Sequence, residues 1–589
     1  MVAFPVVTTT TIPKKKNKVS IVGNKNDVLS PRQIEHLIAI GYAIVIYEQY
    51  VLKLNGWLLK HPGGDLAIFH MIGRDASDEM NAYHCDETVV TFKKYAIGRI
   101  DYKWENMLPP IQGGIYKKID GLDENLTNKD VSMKPVGTLE FLITPRIPQG
   151  EILSLDKPNL FTSENPTSIR DPKLIIENYD NNLVKLDLLS IPSLDYKTQR
   201  YLSHKYNLLH ENIISQGFYK CPYIEYFKEF CRIGSLFLWC LIFLKLKYFK
   251  LSAFCLGCAW QQAVFSVHDA GHISITHNYT IDNVIGMLIA SFFGGLSLGW
   301  WKRNHNVHHL IPNDPVHDPD IQHLPFFAVS SRLMGNVYST YYKKRLWFDK
   351  AAKILVRVQR YTYYLILAFG RFNLYRLSME HLILGLGPRK GKAAWFRYFE
   401  LLGLVFFSYW FCYLIMTKTL TNWQDRLIYL MISHVTTMLV HVQITLSHFA
   451  MSTSDLGTSE SFVSRQIRTT MDVDCPEWFD YFHGGLQFQA IHHLFPRLPR
   501  HNFRKVQPLV IKFCEEVGLK YSIYGFVVGN GVVLDKMGDI GQQVGILRDC
   551  LKNMKSEKID GANYYEKKLQ TAINEGKPCS SQSLEITSS

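Results

Sequence analysis

The stretch His305-Asn306-Val307-His308-His309 decides the fold of the larger part of this chain. Residues three and four apart on a helix share a face, so His305 points the same way as His308 and His309. Two further clusters repeat this spacing beside apolar segments: His268-Asp269-Ala270-Gly271-His272 and Gln489-Ala490-Ile491-His492-His493. Imidazole is a common ligand of iron, and facing helices can hold a metal pair between them. A lone histidine is usually a satisfied polar residue, but three such clusters predict a metal site.

The composition narrows the class of protein. The 589 residues are 47% hydrophobic and carry a net charge of +13, which favours a membrane protein with a basic cytosolic face. No nucleic-acid-binding motif is present, so we expect no nucleic-acid partner. The 11 cysteines are scattered, which indicates a reducing compartment, and we interpret Cys255 and Cys258 as packing residues of an apolar span. Residues 1–20 contain no apolar signal segment, so the N-terminal part is expected to stay in the cytosol.

Residues 29–102 predict a small α+β domain. The stretch Ser30-Pro31-Arg32-Gln33 is typical of a helix start with a capping box. Residues 42–46 and 51–54 are strand-like. Three motifs follow along the chain: His61-Pro62-Gly63-Gly64-Asp65, Gly73-Arg74-Asp75-Ala76 and Tyr83-His84. Together these motifs resemble the cytochrome b5 domain, which carries single electrons on a haem.

This resemblance implies that His61 and His84 ligate haem b from both sides, with Trp57 in the core. The two histidines are 84 − 61 = 23 residues apart. His70 is the rival second ligand, and it is less favoured because it precedes the Asp75-Ala76 turn. An acidic run follows the first ligand, and it either forms a solvated face or attracts a basic reductase. The run consists of Asp75, Asp78, Glu79, Asp86 and Glu87.

Three further boundaries follow from composition. Residues 103–193 are rich in Pro, Asn, Asp, Ser and Thr, which predicts a flexible linker. Residues 194–530 predict an all-α, multi-pass membrane domain that contains the three histidine clusters. Residues 559–589 predict a polar tail.

Five apolar stretches are candidate membrane spans: 233–246, 251–267, 281–301, 395–416 and 427–446. The clusters on either side of 281–301 must reach one site, so we expect this stretch to be re-entrant. Four transmembrane helices then remain, with the haem domain and the active site on the cytosolic side. Lys245, Lys247 and Lys250 would lie in a lumenal turn, against the positive-inside rule, and we give the metal geometry more weight.

The order of clusters and spans resembles the membrane fatty-acyl desaturases, whose motifs are HxxxH, HxxHH and [HQ]xxHH. The resemblance implies a diiron centre, with two iron ions held by His268, His272, His305, His308, His309, His492 and His493. It also implies one histidine at the end of the last span. We choose His448, because His434 and His441 lie deeper. Asp269 is expected to orient an imidazole, whereas His277, His317 and His483 are expected not to be ligands.

Gln489 replaces the histidine that more often begins the third motif, and an amide is the weaker ligand. Glutamine here, together with a fused haem domain, resembles the front-end group of the family. Four stretches are most similar to its sphingolipid Δ8 members from fungi: 268–278, 300–309, 317–322 and 495–501.

The resemblance implies an O2-dependent oxidoreductase of the endoplasmic reticulum membrane that desaturates C8–C9 in the long-chain base of ceramide. Electrons would come from NADH-cytochrome b5 reductase through the haem. The ceramide head is expected at the cytosolic mouth, near Trp300, Trp301, Lys302 and Arg303. Two alternatives stay open. One is a front-end Δ5 or Δ6 fatty-acid desaturase, or a lipid hydroxylase, on the same scaffold. The other is a non-catalytic membrane haem protein that only transfers electrons.

Overall fold

The computed structural model describes residues 25–116 and 172–574, which divide into two compact units. Among these residues, the first unit contains 25–58, 68–80 and 86–116. The second unit contains 59–67, 81–85 and 172–574. The short segments that carry His61 and His84 are therefore grouped with the second unit.

A three-stranded antiparallel sheet forms the centre of the first unit. Its strands are Ile44–Tyr47, Tyr50–Lys53 and Ala96–Arg99, in that order across the sheet. The helix Pro31–Ala39 begins at Ser30, and the Ser30 and Gln33 side chains each accept a hydrogen bond from the other residue's backbone N–H. The predicted capping box is thus confirmed. Short helices in the same part of the chain are Asp65–Phe69, Ser77–Tyr83 and Asp86–Phe92.

Three details of the first unit differ from or refine the expectations. Trp57 is only partly buried and packs 6.0 Å from the ring of Tyr95, so it is not a core residue. Glu79 is buried, and burial raises the pKa of its carboxyl to about 7, so this member of the acidic run is not a solvated charge. The Nδ1 atom of His70 is hydrogen-bonded to the Gln112 amide at 3.1 Å.

The second unit is mainly helical. Its helices are Pro172–Ser190, Tyr196–Ser215, Tyr223–Lys245, Phe249–Gly271, Tyr279–Met287, Leu298–Leu310, Lys350–Leu355, Gln359–Ala368, Gly370–Leu384, Phe396–Phe407, Trp423–Thr436, Met438–Phe449, Phe462–Arg468, Asp480–His483, Gln489–Leu494, Phe503–Val517 and Phe526–Asn574. π-Helical turns over Leu288–Phe293 and Ser408–Thr419 prolong two of them. Two small sheets pair Val337–Ser339 with Lys344–Leu346, antiparallel, and Asp472–Asp474 with Ile523–Gly525, parallel.

The predicted linker and tail are in part helical. The helix Pro172–Ser190 lies within the linker, and Phe526–Asn574 extends into the tail. The rest of these predictions, over 117–171 and 575–589, lies outside the described residues.

The expected count of four transmembrane helices is wrong for the described residues. Two helices are long and apolar enough to cross a membrane, Phe396–Thr419 and Trp423–Phe449. A third is reached only if the pair Tyr279–Phe293 and Leu298–Leu310, bent by 118°, counts as one span. The expected re-entrant stretch falls on this bend. The helix Tyr223–Lys245 does not qualify, because its first half carries Glu225, Lys228, Glu229 and Arg232.

The helix Phe249–Gly271 is also too polar to qualify as a span, since it contains Gln261, Gln262 and the first histidine cluster. It packs closely against Trp423–Thr436. A Cβ atom on Gly257 would lie 2.6 Å from the Ser433 carbonyl oxygen, so only glycine permits this approach. This packing fixes the position of the helix Phe249–Gly271, whose C-terminal end carries His268 and His272.

Candidate metal centre

The three clusters lie on helices, as their spacing predicts. His268 is in the last turn of Phe249–Gly271, and His272 caps that helix. The second cluster ends the helix Leu298–Leu310, and the third forms the short helix Gln489–Leu494. His448 is the residue before the last in Met438–Phe449. Four helix ends therefore bring these side chains to one region of the second unit.

One set of four imidazoles, called here the first histidine group, consists of His268, His272, His305 and His492. Their potential ligand nitrogens all lie within 4.8 Å of one another. The rings also contact the Trp301 indole: His305 stacks on it at 4.4 Å between centroids, with His268 at 5.3 Å and His272 at 5.4 Å. A Cβ atom on Gly271 would clash with the same indole, so this glycine is required by the close approach of Trp301.

A second histidine group consists of His308, His448 and His493, whose ligand nitrogens again lie within 4.8 Å of one another. His308 and His448 approach each other through their Nε2 atoms at 3.3 Å. His309 lies between the groups. Its Nε2 atom is 2.9 Å from that of His305 and 3.0 Å from that of His492, while its ring stacks on His493.

The chemistry of these residues fits a pair of bound metal ions. Burial, reinforced by the neighbouring imidazoles, lowers the pKa of His272, His492 and His493 well below the ordinary value, so these rings are neutral and offer lone pairs. The Nε2 atoms of His268, His272 and His493 are buried without a hydrogen-bond partner among the described residues. Buried nitrogens without partners cost free energy unless a ligand satisfies them, and a metal ion in each group would do so.

Hydrogen bonds orient every ring of the second histidine group. His308 Nδ1 donates to the Asp318 carboxylate at 2.8 Å, and His493 Nδ1 donates to Gln466 Oε1 at 2.7 Å. His448 Nδ1 donates to the Thr469 carbonyl oxygen at 3.3 Å. Gln466 also donates to the His309 carbonyl oxygen at 2.8 Å. Each Nδ1 is therefore a donor, which leaves Nε2 free for a metal.

The carboxylates Asp318 and Asp320 were not predicted as part of the site. With His308 they form a third set of potential metal ligands, all within 4.8 Å of one another. Asp318 is fully buried and also accepts from the backbone N–H groups of Asn313 and Asp320. The signal was present in the sequence, because an Asp-Pro-Asp stretch begins nine residues after His309.

Gln489 lies beside the second histidine group. Its Nε2 atom is 3.1 Å from His448 Nε2, and its side chain borders the cavity described below. Asp472, which is fully buried, accepts a hydrogen bond from the Ala490 N–H at 2.8 Å and so holds the start of this helix. Asp472 also accepts hydrogen bonds from the Gln507 side chain, at 3.1 Å, and from the Tyr521 hydroxyl.

Asp269 has a different role from the expected one. Its closest carboxylate oxygen is 3.7 Å from His268 Nδ1, too far for a hydrogen bond. Instead it pairs with Arg500 and accepts from the Tyr226 hydroxyl. Arg500 also pairs with Glu229 and donates to the Phe265 carbonyl oxygen. This buried network joins the loop after the third cluster to the helix that carries the first.

Five further histidines considered in the sequence analysis belong to neither histidine group. His277 is hydrogen-bonded to the Ile273 and Tyr219 carbonyl oxygens, His317 to Thr340, and His483 to Gln443. His434 and His441 are bonded through Nδ1 to the carbonyl oxygens four residues earlier. None of these five belongs to a potential metal-binding set in the described residues.

A cavity of about 860 Å³, the central cavity, opens onto both histidine groups. It lies in the size range of ligand sites, about 300–1,000 Å³. Its wall is mostly apolar, with Trp260, Phe293, Leu367, Phe449 and Leu486 among the residues that border it. His268 and His305 border it from the first group, and His308 and His448 from the second. A hydrocarbon chain in this cavity would run past the histidines.

Lys302 and Arg303 do not face the central cavity. Both border a separate pocket of about 400 Å³, with His381, Arg397 and Glu400 on its wall. Trp300 and Trp301 do border the central cavity. The expected contact of all four residues with a lipid head stays a prediction, although the two cations and the two tryptophans border different pockets.

The two candidate haem ligands lie close together. The rings of His61 and His84 are 6.2 Å apart between centroids. His61 Nδ1 donates to the Gly64 carbonyl oxygen at 2.7 Å, which leaves its Nε2 available. Because metal–imidazole bonds are about 2.0–2.1 Å long, this separation fits two axial ligands of one iron.

Helices that bring two histidine groups to the wall of one apolar cavity are typical of a membrane lipid oxidoreductase of the diiron class. Comparison with known proteins agrees: residues 189–525 match the model of the fatty acid desaturase family, and residues 36–101 match the cytochrome b5-like haem/steroid-binding domain. The chain belongs to the fatty acid desaturase family and carries a cytochrome b5-like domain, which implies haem beside the family's diiron centre.

Two relatives of the same name share nearly their whole length with this chain, and a third relative shares a shorter part. A Delta 8-(E)-sphingolipid desaturase of Komagataella phaffii is 62% identical, over 93% of this chain and 100% of its own. The Candida albicans protein of the same name is 56% identical, over 90% and 98%. An acyl-lipid (9-3)-desaturase of Borago officinalis is 37% identical over 50% of this chain and 64% of its own.

Proposed function

We propose that this protein is a Δ8-(E)-sphingolipid desaturase that forms the C8–C9 double bond in the long-chain base of ceramide. One observation carries the proposal: both histidine groups border a single apolar cavity that can hold a hydrocarbon chain. The substrate follows from relatives of that name, which are 48–62% identical over at least 90% of this chain. The same name supports the E geometry of the product.

The ligands that we infer for the two iron ions follow the two histidine groups. One ion would be held by His268, His272, His305 and His492, the other by His308, His448 and His493, with His309 between them. When bound, the iron pair supplies the oxidising chemistry, which uses O2 and two electrons to remove one hydrogen from each of two neighbouring methylenes. Gln489 stays a neighbour of the second ion, since an amide is a weaker ligand than imidazole.

The chain's own residues orient the ligands and the substrate. Asp318 and Gln466 hold the protons of His308 and His493 on Nδ1, which directs Nε2 inward. The apolar wall of the central cavity excludes water and aligns the hydrocarbon chain of the substrate. The position of this chain relative to the histidine groups then decides which pair of carbons reacts. His61 and His84 would hold the haem that delivers electrons singly.

We further propose that an NADH-dependent cytochrome b5 reductase refills the haem and that the protein works in the endoplasmic reticulum membrane. The scattered cysteines and the cytosolic haem domain expected from the sequence support this location.

Expression in a yeast that lacks Δ8 activity tests the function. Mass spectrometry of long-chain bases should show a C8–C9 double bond, with fatty acids unchanged. His492→Ala should abolish the product, whereas His204→Ala, an exposed histidine outside both groups, should not. New Δ5 or Δ6 fatty acids, or hydroxylated lipids, with unchanged long-chain bases would favour the first alternative. Haem without non-haem iron in the purified chain would favour an electron-transfer protein.

A further inference from the structure

Arg371 is a buried cation on the wall of the central cavity, and it is 2% exposed. Its Nη2 atom donates to the Gly294 carbonyl oxygen at 2.6 Å, and its Nε atom donates to the Tyr375 hydroxyl at 2.9 Å. The guanidinium lies 4.0 Å from the centroid of the Trp260 ring. Among the described residues, no carboxylate lies within ion-pair distance of Arg371. No group of these residues accepts a hydrogen bond from its Nη1 atom.

His441 places a second polar atom on the same wall. Its Nδ1 atom is 3.1 Å from the Thr437 carbonyl oxygen, which can only accept, so Nδ1 carries the proton. Nε2 of the neutral ring is then an acceptor, and it is buried without a partner among the described residues. A Cβ atom on Gly370 would lie 3.0 Å from this Nε2 atom, so the ring sits against the residue next to Arg371.

An unpaired cation and an unpaired acceptor in an apolar, membrane-embedded cavity both cost free energy. Ionisable residues inside a membrane protein usually mark the path of a substrate. A ligand that offers an acceptor to Arg371 and a donor to His441 would satisfy both.

We propose that Arg371 and His441 bind the amide and hydroxyl head of the sphingolipid inside the central cavity, an inference that rests on the proposed function. A secondary amide accepts through its carbonyl and donates through its N–H, and a hydroxyl does both. An ester-linked acyl chain offers acceptors only. The pair therefore selects a sphingolipid over an acyl ester.

The spacing along one helix agrees with the position of the double bond. His441 and His448 are seven residues apart in Met438–Phe449, which is about 10 Å along the axis. An extended run of about eight carbon atoms covers that length. A head bound at Arg371 and His441 would thus place C8 and C9 beside the histidine groups. With the head bound there, its polar groups have hydrogen-bond partners inside the cavity. The head therefore does not need to stay at the cytosolic mouth.

Substrate analogues test this on the unaltered full-length protein in membranes that contain the reductase. The series comprises a ceramide, its 1-deoxy and 3-deoxy forms and its N-methyl amide. At least one analogue should lose about 10- to 100-fold in kcat/KM, the effect of one hydrogen bond to a charged group. Turnover of all three within about twofold of the ceramide would overturn the inference.

Arg371→Met extends the test. The variant should lose the same about 10- to 100-fold on the ceramide but show no further loss on a sensitive deoxy analogue, because the missing hydroxyl is the acceptor that Arg371 would bind. The N-methyl amide lacks only a donor, which His441 would bind, so it is not paired with this variant. Arg357→Met, at an exposed arginine away from the cavity, should behave as the unaltered protein. If the loss caused by Arg371→Met and the loss caused by the deoxy analogue multiply, the hydroxyl does not contact Arg371 directly.

Haem and non-haem iron contents are measured on each preparation. If Arg371→Met loses either, Gly370→Ala takes its place, since a methyl group there displaces the His441 ring. That variant should lose discrimination between the ceramide and the analogue that lacks the donor bound by His441, either the N-methyl amide or a deoxy form. If it keeps full discrimination, the inference fails. If the unaltered protein desaturates no ceramide at all, the proposed function fails and the inference with it.

Discussion

The two histidine groups differ in what holds their rings. In the second group, each Nδ1 atom is fixed by the hydrogen bond that it donates to Asp318, Gln466 or the Thr469 carbonyl oxygen. In the first group, carboxylates stay 3.7 Å from the nearest ring nitrogens, of His268 and His305, and three rings pack on Trp301. One group is thus oriented by hydrogen bonds and the other by packing. Hydrogen bonds to a ligand also raise its basicity, which packing cannot do, so we expect the two metal positions to respond differently to substitution.

The largest effect is expected from removing one ligand of either group. His308→Ala and His272→Ala should each reduce turnover by more than about 100-fold, more than the loss of an outer partner causes. Product formation and the ratio of non-haem iron to haem are measured together. His204→Ala serves as the matched control. Full iron content with full turnover in either variant would remove that histidine from the proposed ligand set.

Replacing Asp318 tests the hydrogen-bonded group without removing a histidine of either group. Asp318→Asn keeps the size of the side chain but loses the charge that holds the His308 proton, so we expect iron affinity or turnover to fall about 10- to 100-fold. Asp425→Asn, at a partly exposed aspartate outside both histidine groups, is the control. Iron titration into the apoprotein gives the affinity directly. An unchanged affinity would mean that hydrogen bonding does not distinguish the second group.

A smaller effect is expected at the packed group. Trp301→Phe retains an aromatic ring but reduces its contact with three imidazoles, which should weaken iron binding by about 2- to 10-fold. Trp478→Phe, at a tryptophan that is 70% exposed, should have no effect. The same iron titration is used. A loss larger than that of Asp318→Asn would reverse the comparison between the groups.

The parts of this site that the sequence predicted are those that local spacing determines. The i, i+3, i+4 pattern places His305 with His308 and His309 on one helical face whatever the rest of the chain does. Local spacing does not show which rings share an ion. The structure divides His305 and His308 between two groups although they belong to one cluster.

What the sequence did not predict depends on contacts between distant segments. Asp269 is adjacent to His268, yet it pairs with Arg500, 231 residues away. Gln466 and Thr469 reach the second group from a helix that contains no histidine. The count of spans failed for a related reason. The helix Phe249–Gly271 packs within the protein and so can carry amide side chains that a free span would exclude, and the helix Tyr223–Lys245 carries four charged side chains in its first half.

The smallest effect is a pH dependence behind the third cluster. Burial raises the pKa of the Asp472 carboxyl to about 7, although the N–H of Ala490 and the side chain of Gln507 donate to it. Because this pKa is higher in the folded protein than in the unfolded chain, the folded state binds the proton more tightly. The contribution of Asp472 to stability is therefore fully present below its unfolded pKa and is lost as the pH rises through about 7.

Asp472→Asn should flatten this part of the stability profile, since the amide does not titrate. Melting temperatures of the full-length chain in detergent, measured between about pH 4 and pH 8, give the slope. Asp474→Asn, at an exposed aspartate two residues along the same strand, should leave the slope unchanged. Equal slopes for the unaltered chain and Asp472→Asn would show that this carboxyl does not titrate in the range. The hydrogen bonds that hold the start of the helix Gln489–Leu494 would then not depend on pH. In this respect they would resemble the packing on Trp301 that holds the first histidine group.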